Sequence, residues 1–494
     1  MFEEQFLDPG NDERYREAIT TAVETLLRAW PRGPYDGSPP AQLAALWSGE
    51  ILPRESVAPE AAWDRIAQCV SHSIALSNPR TIAHLHPPAL IASMAADVVI
   101  AAMNQSMDSF DQGPAATMLE LAMSEWLCGE IGFQKGAGGV FTAGGTQSNF
   151  MGLLLARDAA AERHWRRSTR QDGLPAEASR MRFLCSEVAH FTVEKSAYQL
   201  GLGSNAVIKV PVDASFRMDP TALAWALQKI KSDGLVAAAV VATAGTTDFG
   251  SIDPLAEISR LAHQNGAWFH IDGAYGSALL LSKKHRTKLS GIEQADSVGV
   301  DFHKKFWQGI SCAAFVLRDA AKFRYLEVHA DYLNPESHEE EGIPDLVGRS
   351  LATTRRLDAL KLWLSFQLIG REKFAAMIDR TLELAACVAG NIRARTRFEL
   401  INKPEMGCVV FRYLPEDPGA DADRINRAIR DRMFERSEAV LGHTRVRGRQ
   451  CLKFTCMNPV TKENDLETLV ERIQIVGKSL ETEFATDPAR QSTR

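Results

Sequence analysis

The sequence predicts an α/β protein built on a mostly parallel sheet with helices on both faces. Three observations carry that expectation. From Gly139 onward, short apolar and β-branched runs at Phe183–Ser186, Ala206–Val210, Leu235–Thr243, Trp268–Ile271 and Ser297–Val300 alternate with helical patterns such as Pro220–Lys231 and Pro254–Asn265. The runs are apolar along their length, as strands covered on both faces are. Polar residues gather just past their ends: Ser186, Glu187 and His190; Thr243 to Thr247; His270 to Tyr275; and Asp301, His303, Lys304 and Lys305. In a parallel sheet those ends share one edge, where ligands bind.

With 494 residues, 45% hydrophobic and 24% charged, the chain has room for two or three domains and a large core. A net charge of -6, spread over both signs, gives no basic face, so no nucleic-acid partner is expected. The start, MFEEQFLDPGNDERY, is acidic and lacks a secretory pattern, and the apolar stretch Ala89–Met103 is short and contains Asp97, so no membrane span is expected. A cytoplasmic protein follows as the expectation. The eight cysteines, at 69, 128, 185, 312, 387, 408, 451 and 456, have no paired metal-ligand spacing and read as reduced, with no metal site.

In order along the chain, residues 1–80 read as a helical arm, with amphipathic stretches Glu13–Trp30 and Ala61–Leu76 joined by the proline-rich Pro31–Pro40. Such an arm buries its stripe against another domain or a second subunit. Polar islands then interrupt helical patterns at His84 to Pro87 and Asp108 to Asp111. Either carboxylate can serve as a cap, or line a pocket and attract a cation. GVFTAGGTQSNFMGLLLAR reads as a strand, a glycine pair and a helix starting near Thr146 or Gln147 with Phe150, Leu153 and Leu154 on its apolar face. Free N–H groups at such a start cradle anions. A polar insertion, Arg163–Ser179, follows. Beyond the sheet a small α/β region is expected from a helix at Leu357–Leu368, a strand at Cys408–Tyr413, a helix at Ala422–Glu435, a strand at Cys451–Cys456 and a closing helix at Thr461–Phe484. The polar tail Ala485–Arg494 is expected to fray.

The stretch ADSVGVDFHKKFWQGISC organises the function. A lysine drawn from water into a pocket loses its proton more readily and attacks aldehydes. Pyridoxal phosphate needs such a lysine, a carboxylate for its ring nitrogen, an imidazole or aromatic ring against its face and a phosphate cup. Lys304, Asp272, His190 and Gly145-Thr146 supply those parts. Taken singly, each has an ordinary structural reading; together they meet the needs of one cofactor.

The stretches FTAGGTQSN, SEVAHFTVEKSA, ATAGTTDFGSIDP, HIDGAYG, ADSVGVDFHKK and RRLDALKLW resemble the group II pyridoxal-phosphate-dependent decarboxylases, and the similarity runs over about residues 70–480. The resemblance implies an aspartate-aminotransferase-like fold of type I: a helical N-terminal arm (1–80), a large cofactor-binding domain with a mostly parallel seven-stranded sheet (81–375) and a small C-terminal α/β domain (376–494). It implies a homodimer with the active site at the subunit interface. It makes Lys304 the lysine that holds the aldehyde, with Lys305 where the family often has tryptophan. His190 stacks on the ring, Asp272 pairs with its nitrogen and Ala274 lies beneath. Gly145, Thr146, Asp301 and His303 hold the phosphate, Thr246 lies near Asp272, and Thr354 reaches in from the second subunit. Within the family, NQSMDSFDQGPAAT, the loop HADYLNPESHEEEGIPDLVGRSLATTRR and LKFTCMNP look most like the diamino acid branch, the 2,4-diaminobutyrate and siderophore-pathway lysine decarboxylases. His86, Asp108, Asp111 and Lys453 are the substrate contacts this implies, the aspartates as counter-charges for a second ammonium group.

The expected reaction is α-decarboxylation of an L-diamino acid, most simply 2,4-diaminobutyrate to 1,3-diaminopropane. Lysine, ornithine, glutamate, aspartate or an aromatic amino acid are the alternative substrates, and aldehyde-forming oxidative deamination or transamination the alternative chemistry. Leu346, in the loop Asp331–Ser350 expected to order on substrate binding, stands where aromatic amino acid decarboxylases use an aromatic proton donor. That leaves Tyr332, His338, His190 or a water for the role. A cofactor-free interaction protein on the same scaffold is the remaining rival, and the presence of Lys304, Asp272 and His190 together weighs against it.

Overall fold

A computed structural model describes residues 5–8, 10–49 and 51–486. The tail beyond Thr486 lies outside the described residues. The chain forms two compact units: one comprises the residues up to His84, Cys387–Ile401 and everything from Val409 on; the other comprises Leu85–Ala386 and Asn402–Cys408.

The second unit is organised by a seven-stranded sheet of β1 (Gly138–Thr142), β2 (Met181–Ser186), β3 (Val207–Val210), β4 (Val236–Thr243), β5 (Trp268–Asp272), β6 (Ser297–Asp301) and β7 (Ala313–Leu317), in the order β1-β7-β6-β5-β4-β2-β3. Strands β3, β2, β4, β5 and β6 run parallel, while β7 pairs antiparallel with both β1 and β6. The sheet is therefore mixed, with one reversed strand. β7 follows β6 after a connection of 11 residues (302–312), and an antiparallel return needs no crossover helix. Strand β4, VAAAVVAT, is buried at every position, as a central strand covered on both faces must be. Helices Gly145–Trp165, Pro220–Ser232 and Leu255–Gln264 lie between the strands.

The register brings chemistry to one edge: Thr243 at the end of β4 lies beside Asp272 at the end of β5, and Asp272 lies beside Gly299 of β6. The turns leaving that edge are tight. Gly276 could carry no side chain, since a Cβ there would lie 2.2 Å from the Ala244 carbonyl oxygen.

In the first unit, helices Asp12–Ala29 and Pro59–Ser71 pack together, and a four-stranded sheet contains β8 (Phe398–Leu400), β9 (Cys408–Tyr413), β10 (Gly442–Val446) and β11 (Arg449–Thr455). Helix Ala422–Glu435 and the closing helix Glu463–Thr486 complete it. The second arm helix stops at Ser71 rather than Leu76 because the next residues turn onto the segment before them. His72 contacts Asp36, and the Ala75 N–H donates to the Pro34 carbonyl at 3.0 Å. No helix among the described residues is long and apolar enough to cross a membrane.

Candidate active site

The carboxyl ends of the parallel strands open into a cavity of about 830 Å³. Gly145, Thr146, His190, Asp272, Ala274, Asp301, His303 and Lys304 all line it. Each arrives by a separate route. β1 leads through the glycine pair into helix Gly145–Trp165, β2 runs on to His190, and β5 and β6 end in Asp272 and Asp301.

Lys304 Nζ lies 3.2 Å from Asp301 Oδ2, and His303 Nε2 lies 3.5 Å from the same oxygen. Asp301 is 3% exposed, and its second oxygen, Oδ1, is buried without a hydrogen-bond partner. Opposite stands the start of helix Gly145–Trp165, which no side chain caps, so its leading N–H groups and the positive end of its dipole are left for a ligand. A Cβ at Gly145 would come within 3.1 Å of the Ala274 Cβ and 3.2 Å of Asp301 Oδ2, filling the space between them. Asp272 accepts from Asn149 Nδ2 at 2.8 Å and from the Ala274 N–H at 3.2 Å. Burial pushes the His190 imidazole below its ordinary pKa, against the pull of Asp272, and so favours the neutral ring. A lysine, a donor-supported carboxylate, a neutral imidazole and an uncapped helix start fit an aldehyde-bearing, phosphate-bearing pyridine.

Other expected residues lie elsewhere. Thr246 is fully buried, with Oγ1 2.7 Å from Ser251 Oγ, and does not line the cavity. Thr354 is exposed and lines a separate cavity of about 200 Å³. His86 is exposed, and burial of part of its ring together with the nearby His303 lowers its pKa. Asp108 is 5% exposed and accepts the Ser109 N–H at 2.9 Å; Asp111 is exposed and accepts the Ser109 hydroxyl at 2.5 Å. Neither lines the cavity. Lys453 is buried on β11 in the other unit.

The loop expected to order on substrate binding has structure of its own. It carries a helical turn, Glu336–Glu341, and Asp345 accepts the Phe110 N–H at 2.8 Å while meeting His338 Nδ1 at 2.8 Å. Leu346 is 1% exposed, Tyr332 89%.

Sequence reasoning missed Gln147, Asn149, Phe150, Lys195, Ile310 and Leu351, which also line the cavity. Asn149 had a legible signal: it stands four residues after Gly145, on the same helix face. Of the apolar face expected at Phe150, Leu153 and Leu154 only Leu153 is fully buried, with Met151, Leu155 and Ala156 beside it, while Phe150 and Leu154 are half-buried, because the helix is covered over a wider arc than that stripe.

Comparison with known proteins agrees with this geometry. The family model "Pyridoxal-dependent decarboxylase conserved domain" matches residues 58–414. An L-2,4-diaminobutyrate decarboxylase of Acinetobacter baumannii is 43% identical over 82% of this chain and 81% of its own, and one of Rhizobium meliloti is 37% identical over 98% and 96%. The crystal structure of the glutamate decarboxylase domain of diaminobutyrate-pyruvate transaminase and L-2,4-diaminobutyrate decarboxylase from Vibrio parahaemolyticus superposes with a TM-score of 0.89 at 37% identity, covering 96% of this chain and 98% of that one. The fold is thus that of type I pyridoxal phosphate enzymes, and the chain belongs to the pyridoxal-dependent decarboxylase family, as a carboxy-lyase that works with pyridoxal phosphate.

Proposed function

We propose that this chain removes the α-carboxylate of L-2,4-diaminobutyrate to give 1,3-diaminopropane. The observation that carries the reading is the meeting of Lys304, Asp272, His190 and an uncapped helix start in one cavity. The activity named for the Acinetobacter and Rhizobium relatives supports the choice of substrate.

Bound pyridoxal phosphate supplies a protonated ring that draws electrons from the substrate α-carbon. Lys304 is the residue that holds its aldehyde. Asp272 keeps a proton at the ring nitrogen by opposite charge, His190 covers the ring and Ala274 supports it. Gly145 and Thr146 bind the phosphate through backbone N–H groups, with His303 beside them. Asp301 bears the same sign of charge as the phosphate, so its part is to hold His303 and the Lys304 ammonium in place. Leu346 has no proton to give and is buried, Tyr332 is exposed and His338 is engaged by Asp345. We assign the proton returned at the α-carbon to His190, which lines the cavity, or to a water that it holds.

We assign the working form to a homodimer in the cytoplasm, with Thr354 entering the partner's site, and with His86, Asp108, Asp111 and Lys453 contacting substrate in the assembled enzyme. Ile91, Met94, Val98, Val99 and Met103 along helix Ile91–Met103 are apolar and exposed, which favours a second copy covering them. None of the eight cysteines forms a disulfide, in keeping with a reducing compartment.

Turnover of diaminobutyrate, ornithine, lysine, glutamate and DOPA, with mass spectrometry of the products, tests the assignment. Diaminopropane with stoichiometric carbon dioxide is expected; faster turnover of glutamate or DOPA, or a carbonyl product, overturns it. Borohydride reduction followed by peptide mapping is expected to label Lys304.

A further inference from the structure

Beneath the cavity, a run of buried polar side chains links several elements. Trp268 Nε1–H donates to Ser297 Oγ at 2.8 Å, Ser297 Oγ lies 2.8 Å from His270 Nδ1, and His270 Nε2 lies 3.0 Å from Asn149 Oδ1. Asn149 Nδ2 then donates twice, to Asp272 Oδ2 at 2.8 Å and to Thr192 Oγ1 at 2.9 Å. Thr192 Oγ1 lies 3.0 Å from His190 Nδ1, and the Thr192 backbone N–H faces the same nitrogen at 3.4 Å.

The direction of each bond follows from which atoms carry hydrogens. An indole N–H can only donate, so Ser297 accepts from Trp268 and keeps its own proton to give. The Asn149 carbonyl can only accept, so His270 carries its ring proton on Nε2, donates it there and takes the Ser297 proton at Nδ1. Reversing that amide would set two acceptors, Asn149 Oδ1 and Asp272 Oδ2, against each other, so its orientation is determined. Both Asn149 amide hydrogens are used, so Thr192 accepts from Asn149 and keeps its own hydroxyl proton to give to His190 Nδ1. The backbone N–H on that nitrogen requires the same. His190 is left with its proton on Nε2.

We infer that Asn149 is a positioning residue whose single amide sets both the hydrogen bonding of Asp272 and the tautomer of His190, so that a neutral His190 presents an Nε2–H donor to the cavity. The catalytic meaning of this rests on the proposed placement of the cofactor; the order of the hydrogen bonds belongs to the chain alone. The groups that face His190 are Asp272 and Asp301, which favour its charged form, and Lys304, which with burial opposes it; Phe191 packs on the ring at 4.3 Å between centroids. His270 faces Asp272 and is otherwise enclosed by Ser297, Asn149 and Phe315.

Histidine C2 hydrogen–deuterium exchange, read by peptide mass spectrometry on the full-length apoenzyme, reports the protonation midpoint of His190 with no cofactor present. Thr192→Val removes the donor to His190 and the acceptor of one Asn149 hydrogen while leaving the Asn149 bond to Asp272, whereas Asn149→Leu removes the junction. Both make the surroundings more apolar, which alone lowers the midpoint, while loss of a donor to the neutral ring raises it. We expect a rise of about half a pH unit or more in each, the size that one neutral hydrogen bond sets. In the loaded enzyme, the pH midpoint of the visible absorption band is expected to move in Asn149→Leu, which alone touches Asp272, and to stay in Thr192→Val. A His190 midpoint that falls or stays in Thr192→Val overturns the inference, as does an Asn149→Leu protein that changes neither readout. If Asn149→Leu does not fold, Thr192→Val decides. Histidine shifts as expected in a protein whose Lys304 takes no borohydride label would sink the cofactor placement and leave the hydrogen-bond order standing.

Discussion

Gly152→Ala puts a steric question to this hydrogen-bond run. Gly152 sits inside helix Gly145–Trp165, where replacing glycine by alanine ordinarily stabilises by about 0.5–1 kcal/mol. Here the added Cβ would stand 2.5 Å from His270 Nδ1 and 2.7 Å from its Cε1. Ordinary contact begins at 3.4 Å, so the ring or the helix must give by 3.4 - 2.5 = 0.9 Å. A shift of that size away from the helix would stretch the bond from His270 Nε2 to Asn149, now 3.0 Å, to as much as about 3.9 Å, past useful length. One neutral hydrogen bond is worth about 1 kcal/mol, and overpacking costs about 1–3 kcal/mol more. After the helix gain, a net loss of about 1–3 kcal/mol is expected, or a urea midpoint lower by a few tenths of a molar to about 1 M. Gly129→Ala is the control: it makes the same change in helix Pro114–Ile131, where a Cβ would meet nothing within 4 Å, and the midpoint is expected to hold or rise. Equilibrium urea unfolding of the two apoenzymes and the wild type, followed by tryptophan fluorescence, reads all three. A Gly152→Ala midpoint at or above that of Gly129→Ala refutes the reasoning.

His270 has its pKa lowered to about 4 by burial, so between there and its ordinary 6.5 the unfolded chain binds the proton that the folded one refuses. Its contribution is complete above about pH 6.5 and is lost as pH falls toward 4, up to about 3 kcal/mol; His270→Gln should flatten the pH dependence of the urea midpoint in that window. Arg355→Ala strands the buried Glu120 carboxylate, which now meets Arg355 Nη1 at 2.9 Å and the Phe141 N–H at 3.0 Å, and should cost about 3–5 kcal/mol. Burial already pushes Glu120 above the ordinary carboxylate range, so that loss should shrink in acid, and Glu120→Gln with Arg355→Met should recover most of it in thermal unfolding. Gly145→Ala, which fills the space between Ala274 and Asp301, should weaken cofactor retention about tenfold or more while leaving the fold intact; dialysis followed by absorbance checks both.

Short-range patterns made much of this molecule legible before its fold was known. Strands β2, β4, β5 and β6 and helices such as Pro220–Ser232 match their expected spans within about two residues, because a covered strand and an amphipathic helix write their period into consecutive side chains. The cavity was legible for a related reason: a parallel sheet carries every strand's carboxyl end to one edge, so Lys304, Asp272 and His190 were bound to converge there. The reversed strand β7 and the 23-residue helix Arg371–Arg393 were not legible. AAFVL reads equally as strand or buried helix, and the helix's charges interrupt its apolar stripe.

The partnerships that tune the site were also beyond reach from local pattern. Asn149 and Asp272 are 123 positions apart, and Asn149 and His270 121, so nothing local announces that one amide serves both. Leu346 shows the same limit: the family resemblance placed it in a loop near the chemistry, and only packing reveals it as buried. Residue type and period determine what a segment forms and which edge it reaches. Which buried donor meets which acceptor is decided by the close approach of distant segments, where each unpaired polar atom costs about 1–3 kcal/mol and the chain settles on the packing that leaves fewest of them.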